Sequence, residues 1–564
     1  GRNRDLLFCS SLPPRTREDR PRGPGETGPR HQQRARAGVP LAMAAQGKKK
    51  AEVGPRGVND IVKDRLLSVI REVRTPTGFK VLIVDALSVR VISYALRMTD
   101  IMEEGVTLVE KLEIGRQPMP TVEGLYVLEP SEEGINYLKQ DFADPSKPQY
   151  GAVHIYFTSH LSNELVFSLK QSPTLCSRIK TLRELNLQFL SIEAQAYTLD
   201  LPDALHYLHS PVCQDERNIQ QQKIVEGMLT VAITLSERPV IRFRKGKTAE
   251  AIARQLELAL DAFEKQAGPD NPWFKPNREG PSTLLIIDRV EDPLSPLLHE
   301  YTYQAMVNDL LEIKGERYTY RTKNAKGEDC NKEVFLNERD PLWPRLRHLH
   351  IADAINTVLD DFNKFTTENK AASMAKGGVT DMKQMSEAIR SMPQYTELLS
   401  KYSMHIELTK RCMSLYEKYH LEAVSALEQN MAVGEDIEGK PVKKADVFNG
   451  LLGLLDKPGI LETDKLRLIM IFIITQEGVN QEEIDQLVKA ASFKMEQAHM
   501  QALSNLKHLG VEYKKPPEKP KTMVGAAMSK VPFPFLKGAE APKARNKAAD
   551  VSYDLSRYRP PLQF

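Results

Sequence analysis

Several fragments of this 564-residue sequence carry residue types that could do chemistry, and each lacks a partner which that chemistry needs. Gly246-Lys247-Thr248 ends like a phosphate-binding loop, but Ile241 stands where the first glycine belongs, so a backbone cradle around phosphates is not expected. His299-Glu300 opens like a zinc-binding HExxH helix, yet Tyr303 occupies the place of the second histidine, and His206 and His209 have no third ligand at metal spacing. Surface or capping roles are expected for these histidines. Asp85 ends an apolar run without the second carboxylate of a phosphotransfer pair, and no GxSxG turn offers a nucleophile. The alternating charges of Asp288-Arg289-Val290-Glu291-Asp292 read as a structural ion-pair network rather than a cation site. No catalytic residue, metal ligand or cofactor is therefore assigned, and the residues alone point to a large interaction scaffold. The alternative is a nucleotide-dependent α/β enzyme with a helical lid.

At 41% hydrophobic and 27% charged residues, the composition is that of a soluble globular protein. Its length allows roughly three or four domains of ~100–200 residues. The longest uninterrupted apolar run, 468–474, is far short of the ~18–20 residues needed to cross a bilayer, and no signal segment opens the chain. The formal charge of +3 conceals a division: residues 1–42 carry +5 and residues 514–564 carry +7, leaving −9 for residues 43–513. Five cysteines, Cys9, Cys176, Cys213, Cys330 and Cys412, are odd in number and include no CxxC pair, so reduced, buried thiols in a cytosolic protein are expected.

Elements that could position a site emerge after Gly57. Residues 60–73 read as an amphipathic helix, and the apolar run 81–84, stopped by Asp85, reads as a buried parallel strand. Further strands are expected at 106–109, 125–128, 153–157 and 187–192, with helices near 88–103, 131–142 and 174–185. This alternation implies a doubly wound, mostly parallel sheet. A second α/β stretch brackets a helix at Ile252, Leu256, Leu260 and Phe263 between strands 240–244 and 283–287. Past Pro296 the chain turns mainly helical, with a charged, poorly periodic interval around 314–337. Two heptad-like stripes, Ile351-Ile355-Val358-Phe362-Phe365 and Tyr395-Leu399-Tyr402-Ile406-Met413-Tyr416, suggest a helical hairpin. Its tip carries Gly377-Gly378, a methionine-lined segment with Met382, Met385, Ile389 and Met392, and then Pro393. Spacing alone favours an ordinary core stripe here over a groove for a partner helix. Further helices are expected at 451–455, 465–474 and 482–509. Residues 1–42, with nine Arg scattered among six Pro and five Gly, read as a disordered leader ahead of a natural start at Met43, in preference to a nucleic-acid arm.

Read in order, FKVLIVDALSVRVIS (79–93), MTDIMEEGVTLVE (98–110), LLIIDRVEDPLSPLLHEYTYQAMVNDLL (284–311), MPQYTELLSKYSMHIEL (392–408) and YDLSRY (553–558) closely resemble the SM (Sec-one/Munc-eighteen) family of syntaxin-binding proteins, in its exocytic group. The resemblance spans residues 57–560. It implies an arch-shaped, non-enzymatic, α/β plus α protein with doubly wound parallel sheets in the first and second domains and a largely helical third. The domains expected are a leader (1–56), domain 1 (57–186), domain 2 (187–296, joined by 548–564), domain 3 (297–513, with a hairpin at about 351–416) and a basic disordered loop (514–547).

The implied function is to clasp a syntaxin and steer SNARE assembly in vesicle docking, priming and fusion. The implied protein is a cytoplasmic monomer, peripheral at the plasma membrane and secretory vesicles. Positions matching the family's syntaxin-bundle surface are Asp85, Arg90, Arg97 and Glu110, and those matching its pocket for the syntaxin N-terminal peptide are Phe167, Ile179, Leu182 and Glu184. Glu184 would pair with the peptide's arginine. The hairpin with Met385, Ile389, Pro393 and Ile406 would template the synaptobrevin-type vesicle SNARE, with Pro393 breaking the helix, and this reverses the preference for a core stripe. Two departures stand out. The family's dense acidic run before Leu-Trp is replaced by the mixed Asn337-Glu338-Arg339-Asp340-Pro341, and the sequence stops at Phe564, where the family pattern continues and returns strands to domain 2, so an open sheet edge is expected there.

Overall fold

The computed structural model describes residues 56–511, apart from 77, 245, 269–279, 324–328, 376–381, 437, 477–478 and 492–495. The chain divides into two units, Gly1–Gly54 and Pro55–Phe564, and all described residues belong to the second. The expected leader up to residue 55, the basic loop 514–547 and the returning segment 548–564 lie outside them.

The first α/β region runs α1 (Val58–Glu72), β1 (Lys80–Val84), α2 (Ala86–Ala95), α3 (Met98–Glu103), β2 (Val106–Lys111), β3 (Glu123–Leu128), α4 (Glu132–Asp141), β4 (Val153–Phe157), α5 (Asn163–Lys170), α6 (Pro173–Cys176) and β5 (Ile179–Glu184). Its five strands form one parallel sheet in the order β2-β1-β3-β4-β5. β1, β3 and β4 are buried along their whole length because both faces are covered. Leu82, Val84, Leu125 and Val127 turn toward α1 and α2, whereas Val81, Ile83, Tyr126 and Ile155 turn toward α4, α5 and α6. The strand order switches at β1, which lies between β2 and β3, and the ends of β1 and β3 therefore open onto the place where such sheets bind ligands.

The helix expected at 174–185 is instead the single turn α6 followed by edge strand β5. Its sequence IKTLRE is too polar to signal a buried strand, and pairing with β4 overrides the local pattern. The strand expected at 187–192 is β6 (Leu190–Glu193), which pairs antiparallel with β7 (Ala196–Thr198) outside the parallel sheet. There follow α7 (Ala204–His209), α8 (Gln214–Leu235), β8 (Val240–Phe243), α9 (Lys247–Ala267) and β9 (Thr283–Ile286). Among the described residues β8 and β9 form a parallel two-stranded sheet, onto which α8 and α9 bury Val225, Leu256 and Leu260.

The remainder begins with α10 (Tyr303–Leu310). The charged, poorly periodic interval is an antiparallel sheet of β10 (Ile313–Lys314), β11 (Arg317–Lys323) and β12 (Asp329–Phe335). Gly315, at φ 64°, supplies the left-handed residue that the tight β10–β11 turn requires. Alternation is present but hidden by charge: Tyr318 is buried and stacks on Tyr320 at 5.8 Å, while the opposite face carries polar residues. Next come α11 (Trp343–Leu346), α12 (Ile351–Ala375), α13 (Met382–Lys418), α14 (Leu421–Val433), α15 (Lys444–Leu455), α16 (Glu462–Thr475), α17 (Gln481–Ala490) and α18 (Gln497–Asn505). α12 and α13 are the expected hairpin, joined across their inner face by Phe365, which stacks on Tyr395 at 5.0 Å.

Pro393 does not break this hairpin. It can donate no backbone hydrogen bond, yet α13 continues through it from Met382 to Lys418. A single missing bond in so long a helix is outweighed by the packing of the distal half, where Tyr402, Met404, Leu408 and Cys412 are buried.

Candidate functional site

Of the residues matched to a syntaxin-bundle surface, Asp85, Arg90 and Arg97 lie along α2, whereas Glu110, in register with Ile83 on edge strand β2, turns to the opposite, α4 side, and they differ in what holds them. Asp85 is the N-cap of α2: its carboxylate accepts the Ser88 N–H at 2.8 Å and also the Glu129 N–H at the end of β3. It thereby ties β1 to β3 across the topological switch. Arg90 is exposed and pairs with Asp200, and that hydrogen bond raises its pKa. Glu110 accepts the Tyr150 hydroxyl at 2.5 Å, and burial together with this bond pushes the Tyr150 phenol well up. Arg97 stands at the break between α2 and α3, and its guanidinium has no hydrogen-bond or ion-pair partner among the described residues.

Arg97 opens onto two clefts. One of about 870 Å³ is lined by Arg97, by β12 with the loop that follows it, and by Glu397, Ser400, Lys401 and Met404 of α13. The other, of about 420 Å³, lies among α1, the α2–α3 junction, Ile192 and Ala194 beside β6, and Glu316. Both share Arg97, Asn337 and Arg339.

The loop that follows β12 is a strut between regions. Glu338 accepts the Ala194 N–H at 2.8 Å and the Asn59 amide at 3.3 Å, while Arg347 reaches Glu193. Arg339 donates to the carbonyls of Ser93 and Tyr94, the last turn of α2, at 3.2 and 3.4 Å. Asp340 accepts the Leu342 N–H at 2.8 Å and faces buried His405 at 3.6 Å; burial opposes its ionisation, but these partners hold its pKa below the usual value. The family departure at 337–341 is thus built into the structure. Arg339, Asn337 and Glu338 carry no sequence signal beyond that mixed-charge interruption.

The second matched site lies at the opposite edge of the sheet. One extra residue, Lys180, shifts the β4–β5 register, so that Ile179, Leu182 and Glu184 pair with Val153, Ile155 and Phe157 and all face the α5 side. Phe167 lies on α5 and is 65% exposed, and Leu182 is exposed as well. Glu184 accepts from His160 Nδ1 and from the Leu161 N–H, each at 2.9 Å. Three of the four therefore lie on one face of edge strand β5, while Phe167 stands on neighbouring α5, and Phe167 and Leu182 are open to solvent.

For the hairpin, Met385, Ile389 and Pro393 fall within α13, but their side chains lie outside the described residues. Ile406 is half-buried against the α12–α13 core.

The failed catalytic fragments have structural uses. Gly246 is the N-cap of α9 directly after β8, too close to the strand for a phosphate loop. His209 pairs with Asp288 at 3.1 Å with both side chains largely buried, and Arg244 pairs with Glu291 at 2.8 Å. His299 is neither a surface nor a capping residue. It is buried, with Nδ1 at 2.9 Å from Glu428 and Nε2 at 3.5 Å from Asp464. Burial lowers its pKa, but these two carboxylates prevail and raise it to about 9. Nor are all thiols buried: Cys176 is exposed, Cys213 is half-buried, and burial pushes the Cys412 thiol up to about 12. Among the described residues no group of three or more His, Cys, Asp and Glu is arranged to hold a metal ion, and no helix is long and apolar enough to cross a membrane.

The comparisons with known proteins agree with one another. The Sec1 family matches residues 80–563. "Protein transport protein sec1" of Dictyostelium discoideum is 37% identical over 508 residues, covering 89% of this chain and 80% of that protein. "SNARE-interacting protein KEULE" of Arabidopsis thaliana is 30% identical over 527 residues, covering 90% and 76%. The fold superposes on the Unc18–syntaxin 1 complex from Monosiga brevicollis with a TM-score of 0.74 at 27% identity, covering 90% of this chain and 84% of that one. The chain belongs to the Sec1 family, and its α/β plus α architecture is that family's fold.

Proposed function

We propose that this chain is a syntaxin-binding regulator of SNARE assembly. A plasma-membrane syntaxin bundle lies along the α2–α3 side of the first sheet and the clefts beside Arg97, while the N-terminal peptide of the syntaxin docks at Phe167, Ile179, Leu182 and Glu184. In this reading the chain acts in vesicle docking, priming and fusion during exocytosis. The α12–α13 hairpin with Met385, Ile389, Pro393 and Ile406 takes up a synaptobrevin-type vesicle SNARE, and the protein works as a monomer recruited from the cytoplasm to the plasma membrane and vesicles by its partners. The observation that carries the reading is the overlap, across 90% of this chain, with an Unc18 protein solved as a syntaxin 1 complex. The half-committed surface supports it, since charged groups that alternate in sign set register and partner choice more than raw affinity.

Calorimetry against a syntaxin cytoplasmic fragment tests it, with the isolated N-terminal peptide and a SNARE bundle as separate titrants. Saturable binding is expected for the fragment and the peptide, and Leu182→Lys should abolish the peptide signal while leaving the bundle signal in place. If none of the three ligands binds better than a scrambled-sequence control, the reading is wrong.

A further inference from the structure

Arg339 is the cleft feature that neither the failed motifs nor the matched positions anticipate. It is exposed, it belongs to the strut after β12, and it shares both clefts with exposed Arg97. The carboxylates around the two arginines are already committed inside the protein. Asp100 is held by Lys63 at 3.0 Å and by the Arg97 N–H at 2.9 Å, and Glu316 by the Asn337 amide at 2.7 Å. Glu338 is taken by the Ala194 N–H at 2.8 Å, Asp340 by the Leu342 N–H at 2.8 Å, and Glu397 pairs with Lys401 at 3.1 Å. The remaining lysine on this wall, Lys332, donates to Ser400 at 2.6 Å.

Neither arginine side chain has an ion pair of its own among the described residues. The Arg97 guanidinium has no hydrogen-bond or ion-pair partner among the described residues, although its charge acts on Asp100, and Arg339 donates only to two neutral carbonyls, each beyond 3.1 Å, while its charge acts on Glu316. A carboxylate offers a guanidinium an opposite charge and a two-pronged geometry that fixes orientation, neither of which a single neutral carbonyl supplies. An acidic side chain entering the cleft would therefore compete with the α2 carbonyls for Arg339.

We propose that Arg97 and Arg339 form a two-arginine seat for one carboxylate of a helical partner laid across the partition between the clefts, with Arg339 as the residue that sets partner specificity. This rests on the reading of the clefts as the partner-binding surface and names the charge that the partner must carry.

The test uses the full chain and a purified syntaxin cytoplasmic fragment, titrated at low and high salt, with the syntaxin N-terminal peptide as a control that does not touch Arg339. Arg339→Gln is expected to weaken fragment binding by roughly tenfold and to flatten its salt dependence, with Arg339→Lys recovering part of the loss. Arg339→Glu is expected to bind worst and to be rescued by one Asp/Glu→Arg substitution among the fragment's acidic residues. Peptide affinity should be the same for all variants, which shows that each is folded. If wild type binds the fragment while Arg339→Gln stays within about twofold at both salt concentrations, the arginine seat falls and the binding surface stands. If wild type does not bind the fragment at all, the surface and the seat fall together.

Discussion

Two clusters of charge in this protein are put to opposite uses. Around His299, between α14 and α16, the ionic groups satisfy one another: Glu428 holds both the His299 N–H and Nδ1 at 2.9 Å, and Arg467 bridges exposed Asp309 at 3.0 Å and buried Asp464 at 3.6 Å. Around Arg97, at the mouth of two clefts, the acids are consumed locally and the arginines remain available. Both neighbourhoods mix acids with bases, so composition alone does not separate them. What separates them is whether the last charge is satisfied, and that is a property of folded geometry. An inward cluster defines how helices dock; an open one waits for a partner.

The sharpest way to break this contrast is to remove the centre of the inward cluster. Glu428 is fully buried, and Glu428→Ala strands the His299 backbone and side-chain donors in a dry site. Loss of one member of such a pair costs about 3–5 kcal/mol. A urea titration should show the midpoint falling accordingly, with the first α/β region still binding syntaxin N-terminal peptide in dilute buffer. A change under about 1 kcal/mol would mean that the cluster is not what docks α14 on α16.

The pH response is the next largest effect. His299 is raised in the folded chain from 6.5 to about 9, so folding favours its imidazolium. The resulting stabilisation is complete below about pH 6.5, is lost as pH rises through about 9, and amounts to something on the order of 3 kcal/mol. Unfolding free energy measured at intervals from pH 6 to pH 10 should decline over that window, and His299→Gln should remove the decline. A decline unaltered in the variant would place its source elsewhere.

Neither cluster was fully legible in the sequence, for different reasons. The sheet was: runs such as Val81–Val84 and Val153–Phe157 are apolar because both their faces are covered, and that signal is local. Edge strand β5 and the β10–β12 sheet escaped because their exposed faces are charged, and Lys180 interrupts the alternation in β5. His299 and Glu428 are 129 residues apart, so no spacing rule could have joined them. Pro393 misled because its local cost is real, but the length and distal packing of α13 outweigh it. In the cleft, family resemblance supplied Arg97, whereas Arg339 appeared only as a departure from the pattern, and nothing in its neighbours foretold a reach to Ser93 and Tyr94.

Asp85 sharpens the contrast most finely, because resemblance places it with the partner-facing residues and geometry places it with the committed ones. Its carboxylate already accepts two backbone N–H groups, one starting α2 and one ending β3. A carboxylate so occupied has little capacity left for a partner, and removing a helix N-cap costs about 1–2 kcal/mol. Asp85→Ala should therefore lower the melting temperature by several degrees while reducing syntaxin affinity only through the displaced start of α2, to a smaller extent than Arg97→Gln. Arg97→Gln should leave stability unchanged within about 0.5 kcal/mol, as expected for a surface group with no internal partner. If Asp85→Ala instead melts with wild type and loses the syntaxin fragment, then its backbone bonds contribute little, and position at the strand end, rather than unmet bonding capacity, decides which charges of the first sheet face the partner.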